Sequence, residues 1–539
     1  MSSQSDPKSM EKNQAALETP SKIDGEAISA VSHIEKIGSH GDATFDDSIE
    51  ETRTSRAVWL IIATVAMGGF LFGYDTGVIS AVLVNLGDDL GHELSSSEKE
   101  LVTSLTSGGA LIGSLIAGLP ADRFGRKFGI NVGCILFLVG SVIQASAFSI
   151  VQMSVGRFVV GLGVGSAAMI IPLYIGELAP SRHRGQMIAF DNMSVTLGQL
   201  ISYALGAAFT EVSRGWRYMV AVGGVPPIIL FVLLMLCPES PRYLISRDKI
   251  EEATGVISRV FPEASREQVR AKVNIILWNI ETEAQTIRDK SLWWKFKQLH
   301  CVPANLRALV VACTVMAVSQ LGGFNTLMYY SATIFSLVGF SKATAVSIVV
   351  GGTNFVFTLA SMFVLDRLGR RLVLLVTLLG MALSMVVTAA AFHYIPVSES
   401  LELTTDSVNW AGIVVLVTII FYVAFFGGGV ATIAWVGTEL LPLEVRALGT
   451  TMNAVVCWAF NIILASTFLT MMKSLTPSGA FGFYAGVCFF GWLFVLFCYP
   501  EAKGLPLEEV GQIFEHGFGV KRAAQMQREA KTRRQAGVI

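Results

Sequence analysis

The chain has 539 residues, of which 52% are hydrophobic and only 15% are Asp, Glu, Lys or Arg. A soluble domain carries about a quarter charged residues, so this chain lacks the charged surface of a water-soluble enzyme. The formal net charge of −1 provides no field for a nucleic acid. Seven cysteines, spaced for neither a metal site nor a disulfide framework, indicate buried free thiols. The composition excludes a disordered, disulfide-rich or nucleic-acid-binding protein and indicates a polytopic membrane protein.

Residues 1–56 carry six Lys or Arg against eleven Asp or Glu and lack a signal segment, so we predict a disordered acidic tail. After the tail come long apolar stretches, and about 20 such residues cross roughly 30 Å of hydrocarbon as a helix. Twelve stretches are predicted to span the membrane: 59–81, 101–119, 128–148, 151–173, 187–209, 218–237, 308–330, 343–364, 372–392, 411–436, 448–471 and 481–499.

The twelve predicted spans form two groups of six. Residues 57–237 are the first bundle and 308–499 the second, with a polar central loop of short helices at 238–307 and a tail at 500–539. With the N-terminus inside, the short inner loops hold nine Lys or Arg against five in the outer loops, and the central loop adds twelve inside. Because basic residues favour the cytoplasmic side, we predict an all-α membrane protein with both termini in the cytoplasm.

Three motifs at the inner ends of the spans occur twice, in the same order. The string Asp122–Lys127 returns as Asp366–Arg371, and Pro238-Glu239 returns as Pro500-Glu501. The string Glu177-Leu-Ala-Pro180, followed by Arg184, returns as Glu439-Leu-Leu-Pro442, followed by Arg446. Three ordered matches indicate that the two halves are copies. Duplicated six-helix halves suit a transporter whose bundles rock about a central site.

The charged residues of these motifs are candidates for a cytoplasmic gate, since contacts made in one conformation bias the equilibrium between two states. The alternative is that they are topology signals at solvated helix ends, but the repeated Glu-to-Arg spacing of seven favours the gate. The candidate gate residues are Asp122, Arg123, Arg126, Glu177, Arg184, Asp366, Arg367, Arg370, Glu439 and Arg446.

Two ionisable residues lie deep in predicted spans, where charge is costly and usually functional: Asp75 in the first span and Arg157 in the fourth. The helical rise places Asp75 about 24 Å from the inner end and Arg157 about 9 Å below the outer end, so the two can pair. One interpretation is a permanent structural pair. The other is a proton switch, in which protonated Asp75 releases the permanently charged Arg157. Asp191, about one turn inside the fifth span, is interpreted as a solvated interfacial carboxylate.

Several strings resemble the sugar porters of the major facilitator superfamily: Gly69–Asp75, Asp122–Lys127, Arg157–Gly165, Pro172–Glu177 and Pro238–Arg242. The resemblance runs from about Trp59 to Glu509. The strings Gly323-Phe-Asn325, Met328–Tyr330 and Ala465–Met471 look most similar to the fungal proton/myo-inositol symporters. The resemblance implies the twelve-helix major facilitator fold and supports proton coupling, because proton-coupled members carry Asp at the position of Asp75.

A site for a neutral polyol or sugar needs amides and hydroxyls with an aromatic face. Gln199, Gln320 and Asn354 lie 11–12 residues from a span end and therefore near the midplane. The Gly322-Gly323 pair predicts a break in the seventh span where backbone approaches a ligand. Membrane-buried amides often only join helices, but the match to family positions favours binding. The predicted substrate-binding residues are Phe72, Gln199, Gln320, Asn325, Tyr329, Asn354, Trp435 and Trp458.

This chain departs from the family pattern at four positions of the site, each of which loses or alters a group expected there: Ser319, Ala434, Val436 and Cys457. The first hypothesis is a proton-coupled symporter that imports a polyol, with myo-inositol as first choice and hexose as the neighbouring option. The alternatives are a transporter-like nutrient sensor and a transporter or exporter of another metabolite. With no phosphate loop, metal cluster or nucleophile elbow, an enzyme is not expected, nor is a cofactor. The expected location is the plasma membrane.

Overall fold

The computed structural model describes residues 48–55, 57–289, 291–397, 408–503, 512–515 and 517–535, and the prediction for residues 1–47 lies outside them. The first half contains six spans: Ala57–Asn85, Ser96–Ile116 with Gly118–Phe124, Arg126–Ala145, Ile150–Leu178, Ser181–Phe209, and Gly215–Val222 with Val225–Leu236. The second half contains six more: Pro303–Leu321 with Phe324–Leu337, Ala343–Leu368, Arg370–Phe392, Trp410–Phe425 continued by Phe426–Val430 and Ala431–Val436, Leu443–Ala465, and Phe468–Cys498.

The twelve helices confirm the predicted fold. Ten are long and apolar enough to cross a membrane by length and composition, and the bent pair Ser96–Ile116 with Gly118–Phe124 adds an eleventh. The remaining helix is the fifth span, Ser181–Phe209. It carries Asp191, Asn192 and Gln199, and these polar side chains make it less apolar than the other spans. Gln199 of this helix is paired with Asn354 of the other half, and polar side chains within the membrane usually face the interior of the bundle.

The internal repeat is visible in the backbone. Gly125 and Gly369 begin the third and ninth spans with φ of 107° and 89°, a region that favours glycine. At both places a carboxylate from the end of the same half caps the new helix. Glu239 accepts the backbone N–H of Arg126 at 3.1 Å, and Glu501 accepts that of Arg371 at 2.9 Å. An anion at a helix N-terminus is stabilised by the helix dipole, so the repeated Pro-Glu motif has the same structural task in both halves.

The boundary between the last two spans differs from the prediction. The eleventh span ends at Ala465 instead of 471, and the twelfth begins at Phe468 instead of 481. The hydroxyls of Ser466 and Thr467 both donate to the carbonyl of Ile463, and such local bonds compete with helix continuation. The twelfth helix is kinked at Thr476, which has a φ of 63° and precedes Pro477.

Four helices form the central loop: Pro241–Ile245, Ile250–Val260, Arg266–Asp289 and Leu292–Cys301. The end of the bundle that carries them is called the central-loop face. Residues 48–55, which the sequence assigned to the disordered tail, are ordered on these helices: Ile49 is fully buried, Lys272 Nζ contacts Glu50 at 2.9 Å, and Gln268 donates to Ser48. The composition of the tail is acidic, but the buried Ile49 and these polar contacts attach the segment to the central-loop helices.

The two halves meet along the second and eleventh spans, the fifth and eighth, and the first and seventh. The hydroxyls of Ser80 and Ser331 lie 2.9 Å apart, and the Tyr203 hydroxyl donates to the carbonyl of Met328 at 2.7 Å. Thr210 and Thr344, at the far ends of the fifth and eighth spans, lie 3.2 Å apart. These contacts occupy the region from the midplane to the face opposite the central loop. The halves are therefore joined at that opposite face.

Candidate functional site

A buried ion pair connects the first and fourth spans. Arg157 Nη1 donates to Asp75 Oδ1 at 2.7 Å, and the side chains are only 1% and 9% exposed. Arg157 Nε also donates to the carbonyl of Val102 at 3.4 Å. Because an unpaired charge in the membrane is costly, the two residues neutralise each other in this conformation. The structure thus brings together the residues predicted as a proton switch.

A network of amides and hydroxyls lies where the two halves meet at mid-membrane. Gln320 Oε1 accepts from Asn325 Nδ2 at 2.6 Å and from Asn461 Nδ2 at 3.3 Å. Asn461 Oδ1 in turn accepts from the hydroxyl of Tyr329 at 3.1 Å and from that of Ser107, in the other half, at 2.7 Å. Among the described residues, the only hydrogen-bond partner of the Gln320 amide nitrogen is the sulfur of Met316, at 3.8 Å. The amide nitrogen of Gln320 is therefore available to donate to a substrate hydroxyl, whereas the oxygens of Gln320 and Asn461 already accept two hydrogen bonds each.

A second amide pair crosses the halves beside this network. Asn354 Nδ2 in the eighth span donates to Gln199 Oε1 in the fifth at 2.8 Å. Asn354 Oδ1 is buried without a hydrogen-bond partner among the described residues. It faces Gly427 in the π-helical turn Phe426–Val430, where an added Cβ would lie 2.8 Å from this oxygen. π-Helical turns frequently occur at functional sites, and the unpaired oxygen offers an acceptor to a ligand.

The predicted break in the seventh span positions the network. The first segment ends at Leu321, and Gly323, with a φ of 94°, begins the second. A side chain at Gly323 would meet the ring of Tyr484 at 2.8 Å, so only glycine fits. The hydroxyl of Tyr422 donates a hydrogen bond to the carbonyl of Gly322 at the break, at 2.8 Å. The break allows Gln320 and Asn325, on different segments, to contact each other.

The predicted aromatic residues Phe72, Trp435 and Trp458 differ from one another in their contacts. Phe72 and Trp458, from opposite halves, meet edge-to-face with ring centroids 5.7 Å apart. Trp435 makes no ring contact within the described part of the chain and is 41% exposed. The structure therefore brings Phe72 and Trp458 into contact across the two halves, whereas the Trp435 side chain is exposed.

Sequence reasoning missed three polar residues of this region. Asn461 and Ser107 carry the network across the halves, and Asn461 lies one helical turn after Trp458, a spacing that could have revealed it. Asn453, only 1% exposed, donates to the carbonyl of Ala434 at 3.3 Å. It lies one turn before Cys457, where the family pattern has an amide. This chain thus has an amide on the same helix face, displaced by one turn.

Asp191 lies deeper in its helix than expected and is only partly exposed. The fifth helix begins at Ser181, six residues before the predicted start, so Asp191 lies almost three turns inside it. Its Oδ1 is buried without a hydrogen-bond partner in the described structure and would contact a Cβ at Gly69 at 2.7 Å. Asp191 is therefore packed against the first span.

The candidate gate of the first half is built around Arg126. Its Nε and Nη2 donate to the two oxygens of Glu177 at 3.0 and 2.9 Å, and Nη1 donates to Asp122 Oδ1 and the carbonyl of Ala121, both at 2.9 Å. Burial raises the pKa of the neighbouring Glu239, although the backbone N–H groups that it accepts lower it. Arg123 instead lies over the ring of Phe124. The fork of Arg126 joins the second, third and fourth spans.

The gate of the second half is built around Arg370. Arg370 Nη1 contacts Glu439 Oε2 at 2.7 Å, and Arg446 donates to the carbonyl of Leu441 at 2.9 Å. Arg367 forms no ion pair with the described residues, and the predictions for the side chains of Arg184 and Asp366 lie outside them. The three observed ion pairs of the gate, Arg126 with Asp122, Arg126 with Glu177 and Arg370 with Glu439, each lie within one half, at the central-loop face.

Duplicated six-helix halves with an amide-lined site at their interface define a secondary transporter of the major facilitator fold. The family model for "Sugar (and other) transporter" matches residues 61–514, and the chain belongs to this family. Myo-inositol transporter 1 of Cryptococcus neoformans is 42% identical over 481 residues, which cover 89% of this chain and 85% of that protein. Myo-inositol transporter 1 of Saccharomyces cerevisiae is 41% identical over 472 residues, covering 86% and 80%.

Solved structures lead to the same family. The xylose transporter XylE from E. coli, in a partially occluded inward-open conformation, matches with a TM-score of 0.69 and 26% identity. The match covers 84% of this chain and all of that chain. XylE has also been solved as a proton:xylose symporter bound to 6-bromo-6-deoxy-D-glucose. These relatives and neighbours are transporters and not enzymes.

Proposed function

We propose that the protein is a proton-coupled symporter that imports a small neutral polyol, with myo-inositol as the first candidate. The network of Gln320, Asn325, Asn461 and Tyr329 carries this proposal, because it places amides and hydroxyls at the interface between the moving halves. The names of the relatives support myo-inositol, and the XylE neighbours support proton coupling. The proton gradient is the driving force, and no cofactor is involved.

The second span offers a route for coupling. The hydroxyl of Thr106 donates to the backbone carbonyl of Arg157 at 3.2 Å, and the adjacent Ser107 donates to Asn461. Protonation of Asp75 would remove the charge that holds Arg157, and a shift of Arg157 would move Thr106 and with it Ser107. Proton binding and substrate binding are thereby connected through two neighbouring residues of one helix.

The orientation and location belong to the same proposal. The central-loop face lies in the cytoplasm together with both termini, and the membrane is the plasma membrane. The basic residues of the central loop and of the short loops support this orientation. With the halves joined at the opposite face, the described conformation is closed toward the outside.

The substrate assignment predicts a competition pattern. In cells that lack their own polyol and hexose transporters, the parent protein should take up labelled myo-inositol, and unlabelled polyols should compete better than hexoses. Gln320→Ala and Asn325→Ala should each weaken the apparent affinity by roughly threefold to tenfold, because each removes a hydrogen-bonding group from the substrate. Initial uptake rates over a range of substrate concentrations measure this.

Val310→Ala is the matched control, since Val310 is 37% exposed on the same span, and its apparent affinity should equal that of the parent. Failure of every polyol and hexose to compete, with protein present at the plasma membrane, would show that the site serves another metabolite. If uptake is too slow to detect but the cells respond to myo-inositol, the protein is a transporter-like nutrient sensor.

A further inference from the structure

Glu100 is a buried carboxylate at the face opposite the central loop. It lies in the second turn of the second span and is only 4% exposed. Its Oε1 accepts the backbone N–H of Thr470 at 2.7 Å, and its Oε2 accepts the Thr470 hydroxyl, also at 2.7 Å. Thr470 belongs to the twelfth span, in the other half. One side chain of the first half thus binds two groups of the second.

The position of Thr470 explains why a carboxylate is needed there. Thr470 is the third residue of the helix Phe468–Cys498, and the first N–H groups of a helix have no partner within it. The N-cap residue Thr467 supplies no side-chain hydrogen bond to these groups. Glu100 therefore acts as the cap of this helix, and its charge is favourable near the positive end of the helix dipole.

The surroundings of Glu100 make this contact unlike the others between the halves. Ser80 with Ser331 and Thr210 with Thr344 are pairs of neutral hydroxyls, whereas hydrogen bonds to an ionised group are stronger. Glu100 forms no ion pair with the residues that the structure describes. Its charge is compensated by the helix terminus of the opposite half, and this compensation is lost when the halves separate.

We propose that Glu100 is a positioning residue of the transport cycle, which holds the outer side closed by capping the twelfth span from across the interface. The inference rests on the proposed function, because it takes the face opposite the central loop as the outer side. To bind external substrate, the protein must open this face and break both bonds to Thr470. The bonds re-form as the loaded transporter closes outward and opens inward.

Loss of the cap should change two kinetic constants in a characteristic way. The outward-open state becomes more populated, and the apparent affinity of a site rises with the fraction of protein in its competent state. The external KM should therefore fall, by about threefold to tenfold for the loss of bonds to a charged group. The maximal rate should fall as well, because closure of the loaded transporter is no longer assisted. Damage to the fold lowers the maximal rate without lowering KM.

Uptake by Glu100→Ala, Glu100→Gln and Thr470→Val tests this, with rates divided by the amount of protein at the cell surface. Glu100→Gln keeps an acceptor and the side-chain shape, and Thr470→Val keeps the backbone N–H, so both should lie between the parent and Glu100→Ala. The double variant Glu100→Ala with Thr470→Val should equal Glu100→Ala, because the hydroxyl bond is already absent. Leu101→Ala, at the adjacent exposed position, should leave KM unchanged. An unchanged or increased KM in Glu100→Ala would overturn the proposal.

A second measurement does not depend on the substrate. Ser331 is fully buried where the halves meet, and a Ser331→Cys thiol should react with an impermeant maleimide only when the outer side opens. Adding Glu100→Ala should increase the labelling rate above that of Ser331→Cys alone, after subtraction of labelling of the native cysteines. An equal rate refutes the role of Glu100 even if transport is confirmed. A raised rate supports it even if no polyol is transported, so the two proposals fail separately.

Discussion

Replacement of Asp75 by Asn should abolish the accumulation of substrate against a gradient, lowering the internal-to-external ratio at steady state to about one. An amide keeps the shape of the side chain but cannot bind and release a proton, and it leaves the buried Arg157 without a counter-charge. Breaking a buried ion pair costs about 3–5 kcal/mol when one charge remains. Exchange of labelled for unlabelled substrate should persist in part, because it does not require net proton movement.

Steady-state accumulation and exchange in the same cells, with and without a protonophore, measure this effect. Asp191→Asn is the matched control, since it changes another aspartate within the membrane that forms no ion pair with the described residues. Accumulation by the control should resemble that of the parent. If accumulation persists both with the protonophore and in Asp75→Asn, the proton switch is refuted and the pair of Asp75 and Arg157 is a permanent structural one.

Arg126→Ala should impair transport far more than Arg370→Ala, although the two arginines occupy equivalent positions of the repeat. The Arg126 side chain is 10% exposed and forks onto Glu177, itself 6% exposed, whereas Arg370 is 35% exposed and makes one contact with Glu439. Loss of a buried partner costs about 3–5 kcal/mol, but an exposed pair contributes about 0–1 kcal/mol. We expect at least a tenfold loss of initial rate for Arg126→Ala and about fivefold or less for Arg370→Ala.

A double-substitution cycle separates the ion pair from general damage. Arg126→Ala combined with Glu177→Ala removes both charges, so it should lose less than the sum of the two single changes. Rates are compared per transporter at the cell surface. Equal losses at Arg126 and Arg370 would mean that the repeat, and not the burial of each pair, determines their importance.

The sequence predicted the twelve spans because apolar length is a strong local signal, and it located Asp75 and Arg157 because charge within such spans is rare. It also placed the break at Gly322-Gly323, where Gly323 adopts a positive φ that favours glycine. These features depend on residues close in sequence. The span boundary near Ser466 was wrong because hydroxyl bonds to Ile463 end the helix within an otherwise apolar stretch.

The remaining site depends on contacts between distant helices. Asn461 is one of two asparagines in a largely apolar helix, and only the packing of the halves reveals that it joins Gln320, Tyr329 and Ser107. Trp435 matched a family position in sequence, but its ring, which follows the π-helical turn Phe426–Val430, contacts no other ring of the described residues. The number of hydrogen bonds at Arg126 and Arg370 was also unpredictable, because equal motifs can be buried to different extents.

The docked segment at residues 48–55 has a consequence for the order of synthesis. Glu50 leaves the ribosome 222 residues before its partner Lys272. At about 5–20 residues per second, this separation corresponds to roughly 10–45 s. During that interval all six spans of the first half emerge while the segment has no surface on which to dock. The segment is therefore synthesised before the six spans of the first half but docks after all of them have been made.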